Sequence, residues 1–462
     1  LLVHDLCDHN TLDESALDKL SNVLGEHEIE VLTATTAFDA EMMIVADPMI
    51  QAILLDWDLA EDNTHQAAKD VLNKLRSRAE NVPVFLFADR ADVADIPLEV
   101  LKETSDFIWL YEDTANFIAG RIEAAIDTYL KNLLPPMFKA LAKFSQVHEY
   151  SWHTPGHTGG TAFMKAPAGR AYFDFFGENL FRSDLSISVG ELGSLLDHSG
   201  PIGASEKYAA KVFGAHRTYH VTNGSSTSNR VIFMACVTHN QVALCDRNCH
   251  KSIEQAMTMS GAIPNYMMPL RNFYGIIKKT ISENSLITKD IDSTPVHAIV
   301  TNSTYDGLCY NARRVEELLG QSVDRMHFDE AWYGYARFNP IYKDRFAMYG
   351  NPADHKPTDM TVFATQSTHK LLAALSQASF IHIREGKKNV DHSRFNESFM
   401  MQASTSPNYP IIASNDITAA MMDGKGGKAL TDESIHEAVA FRQLMAKLNA
   451  DFADQGEWFF NC

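Results

Sequence analysis

The sequence predicts an α/β protein in which a small, doubly wound parallel sheet precedes a larger α/β domain. Residues 1–128 alternate short apolar runs with stretches of helical length, and this alternation is typical of parallel sheets covered by helices. From Ser151 onward, loops that carry Gly and His alternate with strands of buried character. Pro135 and Pro136 interrupt the helical stretch 129–150 between the two parts, as expected for a linker. At 462 residues the chain has room for about two to four domains.

The front part contains five predicted strands separated by predicted helices, one of which covers His65 to Arg78. It resembles a response-regulator receiver, a flavodoxin-like fold, and Asp56 ends the third strand where a receiver has its phosphate acceptor. A receiver also needs a small hydroxyl residue after the fourth strand and a lysine after the fifth, and this sequence has neither. We therefore expect a receiver-like domain that serves packing or assembly. The predicted strands are LLVHD at 1–5, EVLTA at 30–34, AILLDWD at 52–58, VPVFLFA at 82–88 and DFIWLY at 106–111.

Composition and charge limit the classes of partner. The net charge is −19, so the chain would repel the phosphates of nucleic acid, which we exclude as a partner. No apolar run approaches the roughly 20 residues of a membrane span, so we expect no membrane partner. The acidic surface would concentrate a cationic small substrate, although it would equally serve solubility. Six scattered cysteines and no secretion signal predict reduced thiols and a cytoplasmic location.

Lys370 is the central candidate for chemistry. It ends the segment Ser367–Lys370, which follows the predicted strand TVFAT (361–365) and precedes the helix-like run LLAALSQ (371–377). A lysine at the end of a buried strand is costly unless its ammonium is neutralised or used. A Schiff base with an aldehyde cofactor would use it, since burial lowers the pKa of a lysine toward nucleophilic competence. Taken alone, this motif also fits a surface lysine.

Asp329 favours the cofactor interpretation. It lies in MHFDEAW, where a predicted strand ends in Asp–Glu about 40 residues before Lys370. Pyridoxal phosphate (PLP) requires a carboxylate at its pyridine nitrogen, because a protonated ring is the better electron acceptor. An acid and a lysine at the ends of two neighbouring parallel strands would meet at one edge of a sheet.

A phosphate-binding segment is predicted at 222–228, TNGSSTS, between the strand-like TYHV (218–221) and a helical run from Asn229. Its glycine permits a tight turn, and the hydroxyls of Ser225 and Ser226 with the free N–H groups of the helix start would attract a phosphate dianion. A Ser/Thr-rich helix cap without ligand is the alternative, and we leave it open.

His250 is the fourth candidate. It lies in DRNCHKS (246–252), directly after the strand-like VALC, and its imidazole could stack on a pyridine ring. Cys245 and Cys249 beside it do not indicate a metal or haem, because no second ligand cluster and no C-x-x-C-H motif accompany them. His153 and His157 are separated by Pro155–Gly156, so they do not share a helix face for zinc.

In this order the motifs resemble the bacterial inducible ornithine/lysine/arginine decarboxylases, a branch of PLP fold type I, which is aspartate-aminotransferase-like. The resemblance covers nearly the whole chain, including the receiver-like front, which such enzymes carry as a wing domain. The matching stretches are SWHTPGHTGG (151–160), RSDLSISVGELGSLLDH (182–198), VTNGSSTSN (221–229), DRNCHKS (246–252), VTNSTYDGLCYN (300–311), FDEAWYGYARFNPIY (328–342), STHKLLAALSQAS (367–379) and FMMQASTSPNY (399–409).

The resemblance implies a role for each candidate residue. Lys370 would carry PLP as a Schiff base, Asp329 would pair with the pyridinium, and His250 would stack on the ring. Trp332 would lie beside the cofactor, and Ser404 would reach the phosphate site of a neighbouring subunit. The residues that would bind or border the phosphate are Ser225, Ser226, Ser367 and His369, of which His369 is also a candidate to protonate the product.

The implied reaction is decarboxylation of a basic amino acid, with one proton consumed per turnover, as in acid resistance and polyamine metabolism. The stretch 328–342 looks most like the arginine branch, which would yield agmatine, and lysine and ornithine remain open. The active site would need a homodimer, and dimers would assemble into larger rings such as a decamer. An aminotransferase of the same fold and a non-catalytic assembly or regulatory remnant are further alternatives.

We expect four regions along the chain: a wing domain over 1–128, a linker region over 129–184, a PLP-binding large domain over 185–414 and the beginning of a C-terminal small domain over 415–462. Because relatives continue further, we also expect residues to be missing at the start, after Ile277 and beyond Cys462.

Overall fold

The chain forms two units, each built around its own sheet, in the computed structural model. One unit contains Leu1–Leu134 and Gly424–Ala429, and the other contains Pro135–Asp423 and Leu430–Cys462. The structure describes residues 1–4, 12–59, 64–78, 81–87, 93, 96–109, 112–147, 154–187, 189–271, 277–280 and 294–452.

The first unit alternates strands and helices, as the sequence predicts. Its sheet has the order β2-β1-β3-β4-β5, and all of its neighbouring strands pair in parallel. In chain order the elements are β1 (Leu2–Val3), α1 (Leu12–Glu26), β2 (Thr33–Ala34), α2 (Ala37–Ala46), β3 (Ile53–Asp56), α3 (Gln66–Arg78), β4 (Val84–Phe87), α4 (Leu98–Glu103), β5 (Asp106–Ile108) and α5 (Ala115–Leu133).

Both faces are buried at the centre of this sheet, which explains why β1, β3 and β4 are apolar apart from Asp56 at the end of β3. Side chains alternate between the two faces of a strand, so Ile53 and Leu55 of β3 pack in one core layer and Leu54 packs in the opposite one. Helices α2, α3 and α4 cover the first layer, and α1 and α5 cover the second. The predicted strand 30–34 is confirmed only at Thr33–Ala34, and positions 5, 88, 110 and 111 of other predicted strands lie outside the described residues.

The second unit contains a larger mixed sheet. Its elements in chain order are α6 (Pro136–Gln146), α7 (Pro167–Phe176), α8 (Glu178–Ser183), α9 (Gly200–Phe213), β6 (Arg217–Val221), α10 (Gly224–Cys236), β7 (Val242–Asp246), α11 (Lys251–Ser260), β8 (Ile263–Arg271), β9 (Ile277–Thr280), β10 (Pro295–Thr301), α12 (Ala312–Leu319), β11 (Arg325–Asp329), β12 (Thr361–Gln366), α13 (Thr368–Leu371), β13 (Ser379–Arg384), α14 (His392–Met400), α15 (Tyr409–Met422) and α16 (Gly424–Phe452), which crosses the division between the units.

The order of this sheet is β6-β13-β12-β11-β10-β7-β8-β9. Strands β12, β11, β10, β7 and β8 run in parallel, β13 is antiparallel to β12 and to β6, and β9 is antiparallel to β8. The parallel centre aligns the carboxyl ends of β7, β11 and β12 at one edge, where α/β proteins place their ligands. The predicted α/β class is confirmed for both parts of the chain.

Two local predictions are wrong. The helix expected from Asn229 begins at Gly224, so the segment predicted as a loop is largely the first turn of α10. The helix expected over 371–377 is reduced to the single turn α13, which ends at Leu371. Long-range hydrogen bonds hold the following residues in a turn instead: the Leu375 N–H donates to Ser414 Oγ at 3.1 Å, and the Gln377 carbonyl accepts from the Gly224 N–H at 2.8 Å.

Candidate active site

Lys370 lies in α13, one turn beyond the end of β12. Its side chain is half-buried, and Nζ lies 4.7 Å from the ring centroid of Trp332, a distance at which an ammonium is attracted by the ring face. Burial lowers the pKa of Lys370, and the nearby carboxylate of Asp329 opposes part of that shift. A fraction of this lysine is therefore neutral, and thus nucleophilic, at a lower pH than for an exposed lysine.

Asp329 ends β11, the strand beside β12, and its side chain is buried with 4% exposure. Oδ2 accepts a hydrogen bond from Asn229 Nδ2 at 2.8 Å, and Oδ1 accepts from the Ala331 N–H at 3.2 Å. Burial raises the pKa of Asp329, and these hydrogen bonds, together with His250 and Lys370, counteract it. Such a carboxyl is well suited to face a cationic N–H, which would restore its charge in a buried setting.

The start of α10 lies at the same edge of the sheet, directly after β6. Gly224 has φ of +77°, a left-handed conformation that lets the chain turn sharply into the helix. Asn223 occupies the cap position without a side-chain cap hydrogen bond, so the first turn can offer backbone N–H groups to an anion. Ser225 is buried and Ser226 half-buried in that turn.

Ser367 immediately precedes α13 and is buried. Its Oγ has no hydrogen-bond partner among the described residues. A buried hydroxyl without a partner is unusual in a folded protein and indicates a place for an additional group.

His250 is the cap residue of α11, just after β7. Its Nδ1 accepts from the Ser252 N–H at 3.3 Å and lies 2.8 Å from Ser252 Oγ. The imidazole is therefore held in one orientation by the first turn of its own helix. Ser252 Oγ accepts from Asn229 Nδ2 at 3.0 Å, and the same nitrogen donates to Asp329, so hydrogen bonds connect His250 with that carboxylate.

Of the remaining predicted residues, Trp332 and His369 lie near Lys370, and Ser404 is exposed. Trp332 is half-buried near Lys370, and its ring meets the exposed Tyr305 edge to face at 5.2 Å. His369 is half-buried, and burial lowers its pKa, with Lys370 adding to that effect. Ser404 is exposed before α15, and its Oγ accepts from the Ser406 N–H at 3.0 Å. Among the described residues, Ser404 shows no hydrogen bond to another candidate residue.

Sequence reasoning missed Asn229, a buried residue of the site, and Glu330, a buried acid that directly follows Asp329. Asn229 contacts Asp329 as described above. Glu330 is fully buried, and its carboxylate accepts from Asn302 Nδ2 at 3.0 Å, the Ala347 N–H at 2.7 Å and Gln366 Nε2 at 3.0 Å. Burial raises the pKa of Glu330 to about 7. The sequence carries no local signal for either role, because their partners lie up to 100 residues away.

Comparison with known proteins identifies the family. Residues 135–462 match the model of the Orn/Lys/Arg decarboxylase major domain, and residues 12–129 match the model of the N-terminal domain of the same family. The chain is 50% identical over 460 residues to the biodegradative arginine decarboxylase of Escherichia coli, covering 96% of this chain and 61% of that protein. It is 42% identical to a lysine decarboxylase of Pseudomonas aeruginosa, covering 100% and 63%.

Solved structures give the same result for the fold. Lysine decarboxylase A from Pseudomonas aeruginosa superposes with a TM-score of 0.89 at 40% identity, covering 100% of this chain and 63% of that one. The constitutive lysine decarboxylase of Escherichia coli superposes with a TM-score of 0.83 at 36% identity, covering 100% and 63%. The chain thus spans about three fifths of the relatives that it matches.

Within the part of the chain that the structure describes, no helix combines the length and apolar character that crossing a membrane requires. The family models together account for nearly all of the sequence, and its relatives share both the front and the large domain. The chain therefore belongs to the ornithine/lysine/arginine decarboxylase family.

Proposed function

We propose that this chain carries the cofactor-binding part of a PLP-dependent decarboxylase that acts on a basic amino acid, with arginine as the preferred substrate. The observation that carries the proposal is the position of Lys370 and Asp329 after two adjacent parallel strands. The amine of Lys370, with its lowered pKa, follows β12, and the buried carboxylate of Asp329 ends the adjacent β11. A decarboxylase of this type requires both groups at one ring.

The residues at the site fit PLP. The uncapped first turn of α10, with Ser225 and Ser226, would receive the phosphate. The Ser367 hydroxyl, which is buried and lacks a partner in the described structure, would donate to the same phosphate. Asp329 would hold the pyridine nitrogen, and the side chain of His250 would cover one face of the ring.

PLP, once bound, supplies an electron-accepting ring that stabilises negative charge at the α-carbon of an attached amino acid. The protein would contribute position and protons. The neutral amine of Lys370 would bind the cofactor and be released when substrate arrives. The carboxylate of Asp329 would keep a proton at the ring nitrogen, and His369 beside Lys370 would be placed to return a proton to the α-carbon.

The substrate preference rests on similarity. The identity of 50% to an arginine decarboxylase exceeds the 42% to a lysine decarboxylase and the 34% to an ornithine decarboxylase of a Lactobacillus strain. Lysine and ornithine therefore remain the alternatives. The proposal includes a cytoplasmic homodimer in which Ser404 reaches the partner's phosphate site, and assembly of such dimers into a decamer. It also keeps the four predicted regions, 1–128, 129–184, 185–414 and 415–462.

The test is to supply the purified protein and PLP with arginine, lysine or ornithine and to measure released carbon dioxide. We expect release from arginine to be fastest and to be abolished by Lys370→Ala. Lys356→Ala, which removes an exposed lysine outside the site, should leave the rate unchanged. A protein that binds PLP but releases no carbon dioxide from any of the three would refute the proposed activity.

A further inference from the structure

Asn229 connects the two side chains that would hold the cofactor ring. It lies within α10 and is 1% exposed. Its Nδ2 donates to Asp329 Oδ2 at 2.8 Å and to Ser252 Oγ at 3.0 Å. A side-chain amide nitrogen carries two hydrogens, so both are used, one on each side. Ser252 in turn contacts His250, and we call Asp329, Asn229, Ser252 and His250 the amide relay.

Each hydrogen bond of the amide relay has a defined direction. An ionised carboxylate only accepts hydrogen bonds. Asp329 therefore requires that Nδ2 of Asn229, and not Oδ1, faces its carboxylate. Ser252 Oγ accepts from that nitrogen and is left with its own hydrogen for His250 Nδ1, 2.8 Å away. The backbone N–H of Ser252 can only donate, and it also points at Nδ1. The ring of His250 therefore carries its proton on Nε2.

We propose that Asn229 is a positioning residue that holds Asp329 ionised for the pyridinium and, through the Ser252 hydroxyl, fixes the orientation of His250. The inference rests on the proposed function, because both groups act on PLP. Burial raises the pKa of Asp329, and the Asn229 hydrogen bond is the strongest of the contacts that lower it again. Without that amide, the buried acid would favour its neutral form and lose its attraction for a cationic N–H.

A role in packing alone does not account for Asn229. Its Oδ1 is buried and lacks a hydrogen-bond partner in the described part of the chain. A buried unpaired carbonyl is destabilising, and an apolar side chain of similar size would avoid that penalty. The two hydrogen bonds of Nδ2 are the features that only an amide supplies here.

The test is a PLP titration of the 462-residue protein after removal of bound cofactor, followed by the visible absorbance of the Schiff base. Asn229→Ala should weaken PLP binding by about 10- to 100-fold, as expected for losing a hydrogen bond to a charged group. Asn339→Ala is the matched control, since this buried asparagine also donates to a carboxylate, Asp432, at 2.8 Å. It should bind PLP like the wild type.

A double-mutant cycle separates positioning from a general loss of structure. In the Asp329→Asn background the carboxylate is gone, so adding Asn229→Ala should weaken PLP binding by less than about threefold. An equal loss in both backgrounds, or an unchanged affinity of the single variant, would overturn the inference. A wild type without absorbance that depends on Lys370 would refute the proposed function instead.

The tautomer of His250 gives a readout that does not depend on PLP. With ¹⁵N-labelled histidine, and His250→Gln to assign the signal, the wild type should show the proton on Nε2 alone. Asn229→Ala removes the donor that orients the Ser252 hydroxyl, while the Ser252 N–H still faces Nδ1, so the Nδ1 resonance should shift although the proton stays on Nε2. A wild-type proton on Nδ1 would contradict the amide relay even if PLP binds.

Discussion

At the scale of single residues, the candidate site contains buried polar atoms without hydrogen-bond partners and ionisable groups with shifted pKa values. Ser367 Oγ and Asn229 Oδ1 are buried without partners among the residues that the structure describes. Asp329 is buried with a raised pKa, and Lys370 has a lowered one, in both cases chiefly through burial. Such features cluster where a protein binds a ligand, and here Asp329 and Lys370 follow two adjacent strands.

For Ser367 we predict different effects of one substitution on thermal stability and on PLP affinity. Ser367→Ala removes a buried hydroxyl that bonds nothing in the described structure, so the thermal stability of the cofactor-free protein should not fall. PLP affinity should fall by about 5- to 10-fold, because one donor to the phosphate is lost. Differential scanning fluorimetry and PLP titration measure the two effects.

Ser228→Ala is the control for that experiment. Ser228 is also buried, but its Oγ lies 2.8 Å from Ser379 Oγ, so its removal should cost about 1 kcal/mol of stability. If Ser367→Ala destabilises the cofactor-free protein as much as Ser228→Ala, its hydroxyl has a structural partner and the phosphate role is wrong.

At the scale of elements, the sequence predicts those strands and helix breaks that depend on short-range patterns of residues. The largely apolar strands β3, β4, β7 and β12 follow from composition, and the break between α5 and α6 follows from the two prolines. The ends of β11 and β12 are also predictable, which is why Asp329 and Lys370 could be singled out. These patterns place the candidate side chains at strand ends without any knowledge of packing.

Contacts between distant segments decide the elements that the sequence does not predict. The apolar run 371–377 has the composition of a helix, but its backbone bonds to Ser414 and Gly224 instead. Helix α6 begins at Pro136 without a local side-chain cap, and the N–H groups of Met137 and Phe138 donate to Asp416, at 2.7 and 3.0 Å. Asn229 is missed for the same reason, because its partner follows 100 residues later.

At the scale of the whole molecule, burial raises the pKa values of several carboxyl groups. Burial raises the pKa of Glu316 to about 8 and that of Glu330 to about 7, and it also raises the pKa of Asp416. The net charge of −19 adds repulsion that falls as carboxylates are protonated. The contribution of these carboxyl groups to folding stability is lost as pH rises. Burial also lowers the pKa values of His220, His297 and His382 to about 3, and their contribution is lost as pH falls below 6.5.

Glu316 gives the sign and range of this pH dependence. The ordinary pKa of 4.5 applies to the unfolded chain, and the folded chain holds the proton up to about pH 8. The contribution of Glu316 to stability is thus fully present below pH 4.5 and is lost as pH rises through about 8. We expect the melting temperature of the wild type to fall more steeply over this range than that of Glu316→Gln. Parallel curves would show that Glu316 titrates normally.

The central claim is that Lys370 binds PLP covalently beside Asp329. The most direct measurement is to incubate the protein with PLP, reduce the Schiff base with borohydride, digest the product and locate the pyridoxyl group by mass spectrometry. We predict stoichiometric modification of Lys370, with the exposed Lys356 unmodified, and loss of that modification in Lys370→Ala. Modification distributed over surface lysines, or none at Lys370, would contradict the account.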